Sequence, residues 1–193
     1  YTLGIDSQGS RSGAGGPTRI LDPDRNLIEF RDDVWRSNYD NPKVSGRFTL
    51  DGPGSSAGNL NMSVMPYFSD YKEHGFRDRP DDVDRERSVR QKVYGITYEV
   101  NADYSFRLGP GTLKFIGLRK FDHEPLESTA ILDFLDDSPS IGSRFDRNGR
   151  MGEWIGRSEY GWKSGKNDWQ ISAEAAFNTL NVETQIFDLA PDG

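Results

Sequence analysis

The sequence contains no cysteine and only two histidines in its 193 residues. Without cysteine the chain forms neither disulfide bonds nor a reactive thiol, and two histidines are too few for a structural zinc site. No segment approaches the roughly 18 consecutive apolar residues that a membrane-spanning helix requires. The chain starts at Tyr1 and has no basic segment followed by an apolar core, so we expect either a mature form or a fragment.

A surplus of positive charge is also missing. The formal net charge is −7, and acidic and basic residues are interspersed in segments such as RDRPDDVDRERSVRQ, residues 77–91, which we interpret as a solvated loop. A nucleic-acid-binding protein would present a basic face, so we expect no nucleic-acid partner. With 34% apolar and 12% aromatic residues, the chain is too aromatic for disorder and too polar for a thick core.

Residues 94–108, YGITYEVNADYSFRL, alternate without interruption between two kinds of side chain. The even-numbered positions are all apolar, and the odd-numbered positions are polar or glycine. This period of two predicts a half-buried β-strand. At roughly 3.3 Å per residue such a strand would span about 50 Å, and strands of globular proteins usually end by about 10 residues.

Five further segments are predicted to be strands: residues 43–50, 59–71, 112–121, 153–163 and 169–180. Pro66 falls inside the second of them, where a proline is tolerated only at an edge, a bulge or an irregular place. In the third segment the apolar residues change face partway along, so we expect a bulge near Gly117.

The connections between these strands alternate in length. Short connections at residues 51–58, 109–111 and 164–168 are separated by long polar ones at 72–91 and 122–150, although TAILDF, residues 129–134, could extend a strand. Short turns at one end of a sheet and long loops at the other are typical of outer-membrane barrels. The same alternation is normal for a soluble antiparallel sheet with one solvated face, which remains an alternative.

Aromatic residues occur at both ends of the predicted strands, where a membrane barrel carries two girdles at the lipid headgroups. Beside the short turns lie Tyr104, Phe106, Trp162 and Trp169. Towards the opposite rim lie Tyr94, Tyr98, Trp154 and Phe177. These two sets are the candidate girdles.

From NPKVSGRFTL to WQISAEAAFNTLNVE, residues 41–183, the pattern resembles part of the barrel of a TonB-dependent outer-membrane receptor. KVYGITYEVNADYSFRLGPGTLKFIGLRKF and the following Trp-flanked hairpin carry the resemblance. In that family a plug domain precedes the barrel, and YTLGIDSQ, residues 1–8, fits a first strand that runs outward. Residues 9–42 would then be the first outer loop, with RILDPDRNLIEF a small hairpin that turns at DPDRN.

The expected fold is therefore all-β, an antiparallel up-and-down meander that forms part of a transmembrane β-barrel. Residues 1–42 would form the first strand and outer loop, and residues 43–193 six further strands. Seven strands are fewer than the roughly eight of the smallest such barrels, so we expect a fragment of a larger one. The sequence contains no TonB-contacting segment, no plug and no terminal strand ending in an aromatic residue.

The resemblance implies a receptor or transporter of the bacterial outer membrane, in contact with its lipid. Such a receptor takes up a nutrient such as an iron chelate, cobalamin or a glycan, and TonB acts on it through the plug. A soluble β-rich ligand-binding module is the main alternative, and a small porin-like barrel is a lesser one. We expect neither an enzyme nor a cofactor, and no residue can be matched to a substrate contact.

One enzyme motif does occur, because residues 54–58, GSSAG, match the G-x-S-x-G nucleophile elbow with Ser56 as nucleophile. The elbow requires a strand before it and a helix after it, whereas a strand of period two follows here. His74 and His123 are the only histidines that could act as base, and both lie in charged segments. A turn is therefore favoured over a hydrolase site.

Calcium binding is a second candidate, because DPDRN places Asp22, Asp24 and Asn26 at the spacing that opens a calcium loop. Asp33 falls at the twelfth position, but Leu27 stands where the loop needs glycine, so a plain turn is favoured. Four aspartates could also gather a cation, but neighbouring arginines neutralise them: Asp78, Asp81, Asp82 and Asp84.

Polar residues on the predicted strands would face the interior of a barrel, towards water or a plug. We expect pairing among them rather than a binding site. They are Glu99, Asn101, Asp103, Arg107, Arg157, Glu159, Gln170 and Glu174.

Overall fold

The computed structural model describes residues 1–190, which form one sheet of seven antiparallel strands in chain order. The strands are β1 (Thr2–Leu21), β2 (Leu27–Asp51), β3 (Ala57–Asp78), β4 (Arg85–Leu108), β5 (Gly111–Phe134), β6 (Ile141–Ser164) and β7 (Asn167–Leu189). A 3₁₀ turn at Pro53–Ser55 joins β2 to β3, and no helix in the described residues is long and apolar enough to cross a membrane. The predicted all-β meander of seven strands is confirmed. Residues 191–193, the end of the predicted six-strand region 43–193, lie outside the described residues.

The polar segments predicted as long loops are in fact strands. Residues 72–91 and 122–150 form most of the far ends of β3 to β6, and residues 9–42, expected to be an outer loop, belong to the hairpin of β1 and β2. TAILDF is part of β5, as the sequence allowed, and the predicted turn at DPDRN is correct. The connections at this end of the sheet are only residues 22–26, 79–84 and 135–140.

Ion pairs between adjacent strands explain why these charged segments form strands. Arg90 of β4 reaches Asp70 of β3 at 3.3 Å, and Arg144 of β6 reaches Glu127 of β5 at 3.1 Å. Opposite charges at neighbouring positions of a ladder stabilise it by roughly 0.2–1 kcal/mol each. A mixed-charge segment is therefore compatible with a strand when its charges meet complementary ones on the next strand.

The register of β5 with both neighbours is unbroken at Gly117. Ala102 lies opposite Gly117, and Gly117 lies opposite Gly156. The predicted bulge is absent, and that expectation was wrong. Ile116 and Leu118 are instead accommodated on the more polar face of the sheet, where each is half-buried.

Two prolines coincide with gaps in the ladder. Pairing of β3 with β2 is interrupted at residues 65–67, around Pro66, and pairing of β5 with β4 is interrupted at residues 124–125, which include Pro125. Proline has no N–H group to donate, so an interruption on one side costs the sheet little. The prediction that Pro66 needs an irregular place is confirmed.

The turns at the other end of the sheet are tight. Gly109 and Pro110 join β4 to β5, and Gly165 and Lys166 join β6 to β7. Gly109 and Gly165 have φ angles of 58° and 62°, in the left-handed region that glycine adopts without a steric penalty. The predicted short connections are confirmed.

The sheet has no hydrophobic core of its own. Val89, which is 8% exposed, is the only buried apolar side chain in residues 1–190. The accessible surface is 13359 Å². A compact protein of 21.8 kDa would expose only about 9,300 Å². A single layer of strands leaves both of its faces uncovered.

Tyr67 of β3 lies across Gly95 of β4, its partner in the register. A Cβ atom on Gly95 would come within 2.0 Å of the Tyr67 Cζ atom. The Tyr67 hydroxyl donates towards Asp122 and Glu124 of β5, with oxygen–oxygen distances of 3.4 and 3.3 Å. Gly95 therefore leaves room for a ring that connects β3 to β5 across β4.

Replacing Gly95 with alanine should lower the free energy of unfolding by about 1–3 kcal/mol, the usual cost of overpacking, because the Tyr67 ring must move. Equilibrium unfolding in urea, followed by tryptophan fluorescence, measures this change. Gly117→Ala is the matched control, since nothing lies within 4 Å of a Cβ atom there. Equal losses of stability in the two variants would contradict the contact between Tyr67 and Gly95.

Candidate functional site

The register assigns each side chain to one of two faces, which we name after two adjacent residues of β4. The Tyr104 face carries the even-numbered residues of β2, β3, β4 and β6 and the odd-numbered residues of β5 and β7. The Asp103 face carries the other residues of these strands. On β1 the odd-numbered residues belong to the Tyr104 face.

A continuous band of apolar side chains covers the Tyr104 face in the half of the sheet next to the tight turns. On β7 this apolar band runs from Trp169 to Phe177, and on β4 from Leu108 to Tyr94. Its outermost members are well exposed, with Ile171 and Phe177 each at 64%. Members on the inner strands include Val44, Phe48, Leu50, Leu60, Met62, Val64, Ile96, Val100, Leu113 and Phe115.

Aromatic rings border the apolar band beside the tight turns. Trp162 stacks on Trp169 with ring centroids 6.3 Å apart, and Tyr160 stacks on Trp162 at 5.4 Å. Tyr104 and Phe106 of β4 are 5.9 Å apart. The four residues predicted for this set share the Tyr104 face, and Tyr160 belongs with them.

A second set of rings borders the band on its other side. Tyr98 stacks on Phe121 at 5.1 Å, and Phe68 meets the edge of Tyr94 at 6.1 Å. Phe68 and Phe121 also belong to this set but were not predicted, because alternation within one strand does not show which rings meet across neighbouring strands. The four predicted residues all lie on the Tyr104 face: Tyr94, Tyr98, Trp154 and Phe177.

One arginine lies inside this second aromatic border. The guanidinium carbon of Arg119 is 4.5 Å from the ring centroid of Trp154, 5.8 Å from that of Phe121 and 6.0 Å from that of Tyr98. Its Nη1 atom donates to the Glu153 carbonyl oxygen at 3.4 Å. Arg119 was not among the predicted residues, because a bulge near Gly117 would have left its face undecided.

The Asp103 face behind the apolar band is polar. Arg157 pairs with Glu159 at 2.7 Å and lies 3.7 Å from Glu174, and Glu99 accepts a hydrogen bond from Asn101 at 2.6 Å. The expected pairing is confirmed for these residues. The other predicted residues lie on the same face: Asp103, Arg107 and Gln170.

Beyond the apolar band, towards the connections at residues 22–26, 79–84 and 135–140, both faces carry charged side chains. The Tyr104 face carries two groups of ion pairs, one among Asp70, Lys72 and Arg90 and one among Glu127, Arg144 and Asp146. On β4 to β7 the Asp103 face carries ion pairs too, such as Arg87 with Glu73 and Arg147 with Glu124. Apolar residues are interspersed with its charged ones: Val89, Val93, Leu126, Ala130, Leu132, Phe145, Met151, Leu180, Val182 and Ile186. The apolar band therefore ends well before the strands do.

At the far end of β2 and β3 a buried carboxylate lies among three arginines. Glu29, which is 3% exposed, pairs with Arg31 and Arg79 and lies 3.9 Å from Arg77. Arg77 is also buried and pairs with Asp33. Burial raises the pKa of Glu29, but the hydrogen bonds and positive charge of Arg31 and Arg79 outweigh burial and hold that pKa below its ordinary value.

Ser56, the candidate nucleophile, belongs to the turn between β2 and β3. Its hydroxyl donates to the Pro53 carbonyl oxygen at 2.9 Å. His74 and His123 make their side-chain hydrogen bonds to residues of β4 and β6. The structure has a strand on each side of Ser56, as the turn interpretation predicts, and does not bring a histidine to it in the described residues.

The candidate calcium ligands also take part in a turn. Asp22 accepts hydrogen bonds from the side-chain amide of Asn26 at 2.9 Å and from its main-chain N–H at 2.8 Å, and these bonds lower the pKa of Asp22. Asp82 pairs with Arg85 and lies 3.6 Å from Arg79. Within residues 1–190 no three His, Cys, Asp or Glu side chains are grouped to hold a metal ion.

Comparison with known proteins gives no family for this chain. No protein-family model matches it, and no curated protein matches it. The candidate functional site is therefore a surface of the sheet. It consists of the apolar band with its aromatic borders on the Tyr104 face, and the Asp103 face behind the band is polar.

Glu29→Gln should lower the urea midpoint at pH 6, and its difference from the unmodified protein should shrink as the pH is lowered towards 3. Because the pKa of Glu29 is lower in the folded state, its stabilisation is fully present above the unfolded pKa of about 4.3 and is lost as pH falls through the folded pKa. Glutamine has the same size but cannot ionise. Urea unfolding at both pH values measures the effect.

Glu183→Gln is the control, since Glu183 makes no ion pair within the described residues. It should follow the unmodified protein at both pH values. A Glu29→Gln curve that runs parallel to the unmodified one down to pH 3 would show that Glu29 contributes nothing through its charge.

Proposed function

We propose that this chain is part of a transmembrane β-barrel of the bacterial outer membrane, in a TonB-dependent receptor that takes up a nutrient. The observation that carries the proposal is the apolar band on a single-layer sheet without a core. Isolated apolar side chains are common on protein surfaces, but a continuous apolar patch of this extent needs a cover. Lipid acyl chains supply such a cover on one face and leave the other to water.

The depth of the band fits a bilayer. From Trp169 to Phe177 the band covers nine residues of β7, and transmembrane strands cross with about 9–11 residues at a tilt of about 45°. Aromatic rings border the band on both sides, as at the two headgroup regions of a barrel. The sheet would lie with its tight turns at one membrane surface and its long strand extensions beyond the other.

The change of character beyond the band supports the same orientation. Ion pairs such as Arg90 with Asp70 occupy the Tyr104 face there, and charges of this kind belong in water rather than hydrocarbon. The Asp103 face behind the band carries Arg157 with Glu159 and Glu174, which suits a water-filled or plugged interior.

The two edges of the sheet favour a larger assembly. β1 and β7 each have only one neighbouring strand in the described residues. In hydrocarbon an unpaired backbone group costs several kcal/mol, so both edges need partners. Further strands beside β1 and β7 would close the barrel, and receptors of the family that the sequence resembles have about 22.

The uptake role rests on the sequence resemblance alone. An iron chelate, cobalamin or a glycan would be the class of substrate, with TonB acting through a plug that these residues do not include. No side chain of the sheet is assigned to substrate, and the Asp103 face is the surface that would line the passage.

Arginine substitutions test which face meets lipid. Ala102→Arg and Ala173→Arg, on the Tyr104 face, should each destabilise membrane assembly by about 2–4 kcal/mol, the cost of an arginine near the midplane. Ser105→Arg and Ser172→Arg, on the Asp103 face, are matched controls and should assemble normally. The readout is the fraction of protein folded in the outer-membrane fraction of expressing cells.

Normal assembly of both Ala102→Arg and Ala173→Arg would rule out lipid contact at the Tyr104 face.

A second measurement, whether the purified protein needs detergent to stay in solution, separates the membrane barrel from the soluble binding module. A protein that stays monomeric without detergent would favour the soluble module.

A further inference from the structure

Arg119 is a cation on the face that the proposed function turns towards lipid. Its guanidinium lies among Trp154, Phe121 and Tyr98, at 4.5 to 6.0 Å from their ring centroids. No carboxylate within residues 1–190 lies within ion-pair distance of it. Its one side-chain hydrogen bond, to the Glu153 carbonyl oxygen, leaves most of its donors free.

Arg150 is a second such cation on the adjacent strand. It lies opposite His123, and His123 follows Phe121 on the same face as Arg119. Arg150 is exposed and forms no ion pair in the described part of the chain. By strand geometry its Cα atom is about 14 Å from that of Arg119, a distance that two arginine side chains can bridge from either side.

The other basic residue of β5 and β6 on this face behaves differently. Arg144, farther from the apolar band, binds both Glu127 at 3.1 Å and Asp146 at 2.8 Å. On β5 and β6, therefore, Arg144 is neutralised within the sheet, whereas Arg119 and Arg150 have no ion-pair partner in the described residues. Where lipid covers this face, as the proposed function has it, a charge taken out of water without a counter-ion is costly, so we expect an anion from outside to pair with these two arginines.

We propose that Arg119 and Arg150 bind the phosphate of a membrane lipid headgroup, an assignment that rests on the proposed membrane location. Arg119 lies in the aromatic border between its register partners Val100 and Trp154, and Arg150 lies four residues farther from the apolar band on β6, on the side where headgroups would begin. A guanidinium donates two parallel hydrogen bonds to a phosphate, and rings that stack on it hold its plane in place. Aliphatic stems on the apolar surface with charged ends in the headgroup region are the usual arrangement for such residues.

The test compares two lipids with the same acyl chains, phosphatidylglycerol and diacylglycerol, which lacks the phosphate. The full-length protein is purified in detergent, each lipid is titrated, and native mass spectrometry gives the association constant for the first bound lipid. Phosphatidylglycerol should bind more tightly. Arg119→Gln and Arg150→Gln should each weaken it by about fivefold, the change expected for one basic residue at an anionic lipid surface.

Lys120→Gln is the matched control, because Lys120 is the next residue of the same strand and lies on the Asp103 face. Its phosphatidylglycerol binding should equal that of the unmodified protein. Arg150→Gln keeps the test decisive if Arg119→Gln folds poorly, since Arg150 has no ring contact in the described residues.

Four results would overturn the proposal, and they separate a failure of the lipid site from a failure of the membrane location. Equal binding of the two lipids by a detergent-dependent protein would reject the phosphate site and leave the barrel intact, as would unchanged binding by both arginine variants. Displacement of phosphatidylglycerol by inorganic phosphate alone would reassign the site to free phosphate. A protein that stays monomeric without detergent and retains neither lipid would remove the membrane location itself, and the lipid site with it.

Discussion

The ladder of backbone hydrogen bonds between adjacent strands is the interaction on which the rest of this structure depends. Residues 1–190 contain one buried apolar side chain, Val89, so no packed core orders the chain. Each strand of β2 to β6 instead pairs with two neighbours along nearly its whole length. The ladder fixes the position of every residue along the sheet, and with it the face on which each side chain lies.

The fixed register determines which residues of neighbouring strands lie side by side on each face of the sheet. Arg119 contacts Trp154 because the two residues are partners across β5 and β6. Tyr67 spans Gly95 for the same reason, since a side chain at that position would exclude the ring. A shift of one residue in any strand would send its share of the apolar band to the opposite face. Because the pairing through Gly117 is unbroken, the apolar residues of β4, β5 and β6 next to the tight turns lie on the same face.

Sequence alone predicted the parts of the fold where apolar and polar residues alternate. Six strands, their antiparallel order, the tight turns at Gly109 and Gly165 and the shared face of the eight predicted aromatic residues follow from that alternation and from the turn residues between the strands, whereas the first strand was expected from the family resemblance. It did not predict the strand extensions, because residues such as Arg90 and Asp70 look like loop residues until the register pairs them.

Side chains that act together from different strands were also beyond the sequence. Arg119, Trp154 and Tyr98 come from three strands, and nothing in the spacing of any one strand brings them together. Glu29 with Arg77 and Arg79 is a similar case at the far end of the sheet. The register supplies the missing information, because it places Arg119, a basic residue, on the otherwise apolar part of the Tyr104 face.

The change along the Tyr104 face, from apolar residues to ion pairs, limits how the sheet can be surrounded. If the same medium covered the Tyr104 face along its full length, either the apolar band or the ion pairs beyond it would be in the wrong environment. The medium must therefore change along the strands, at the level where Phe121 and Tyr98 stack and Arg119 lies between rings. A bilayer surface is such a boundary. Beyond it both faces carry ion pairs, such as Arg90 with Asp70 on the Tyr104 face and Arg147 with Glu124 on the Asp103 face. Such pairing lets strands of more than 20 residues continue as sheet beyond the aromatic border instead of ending there as loops.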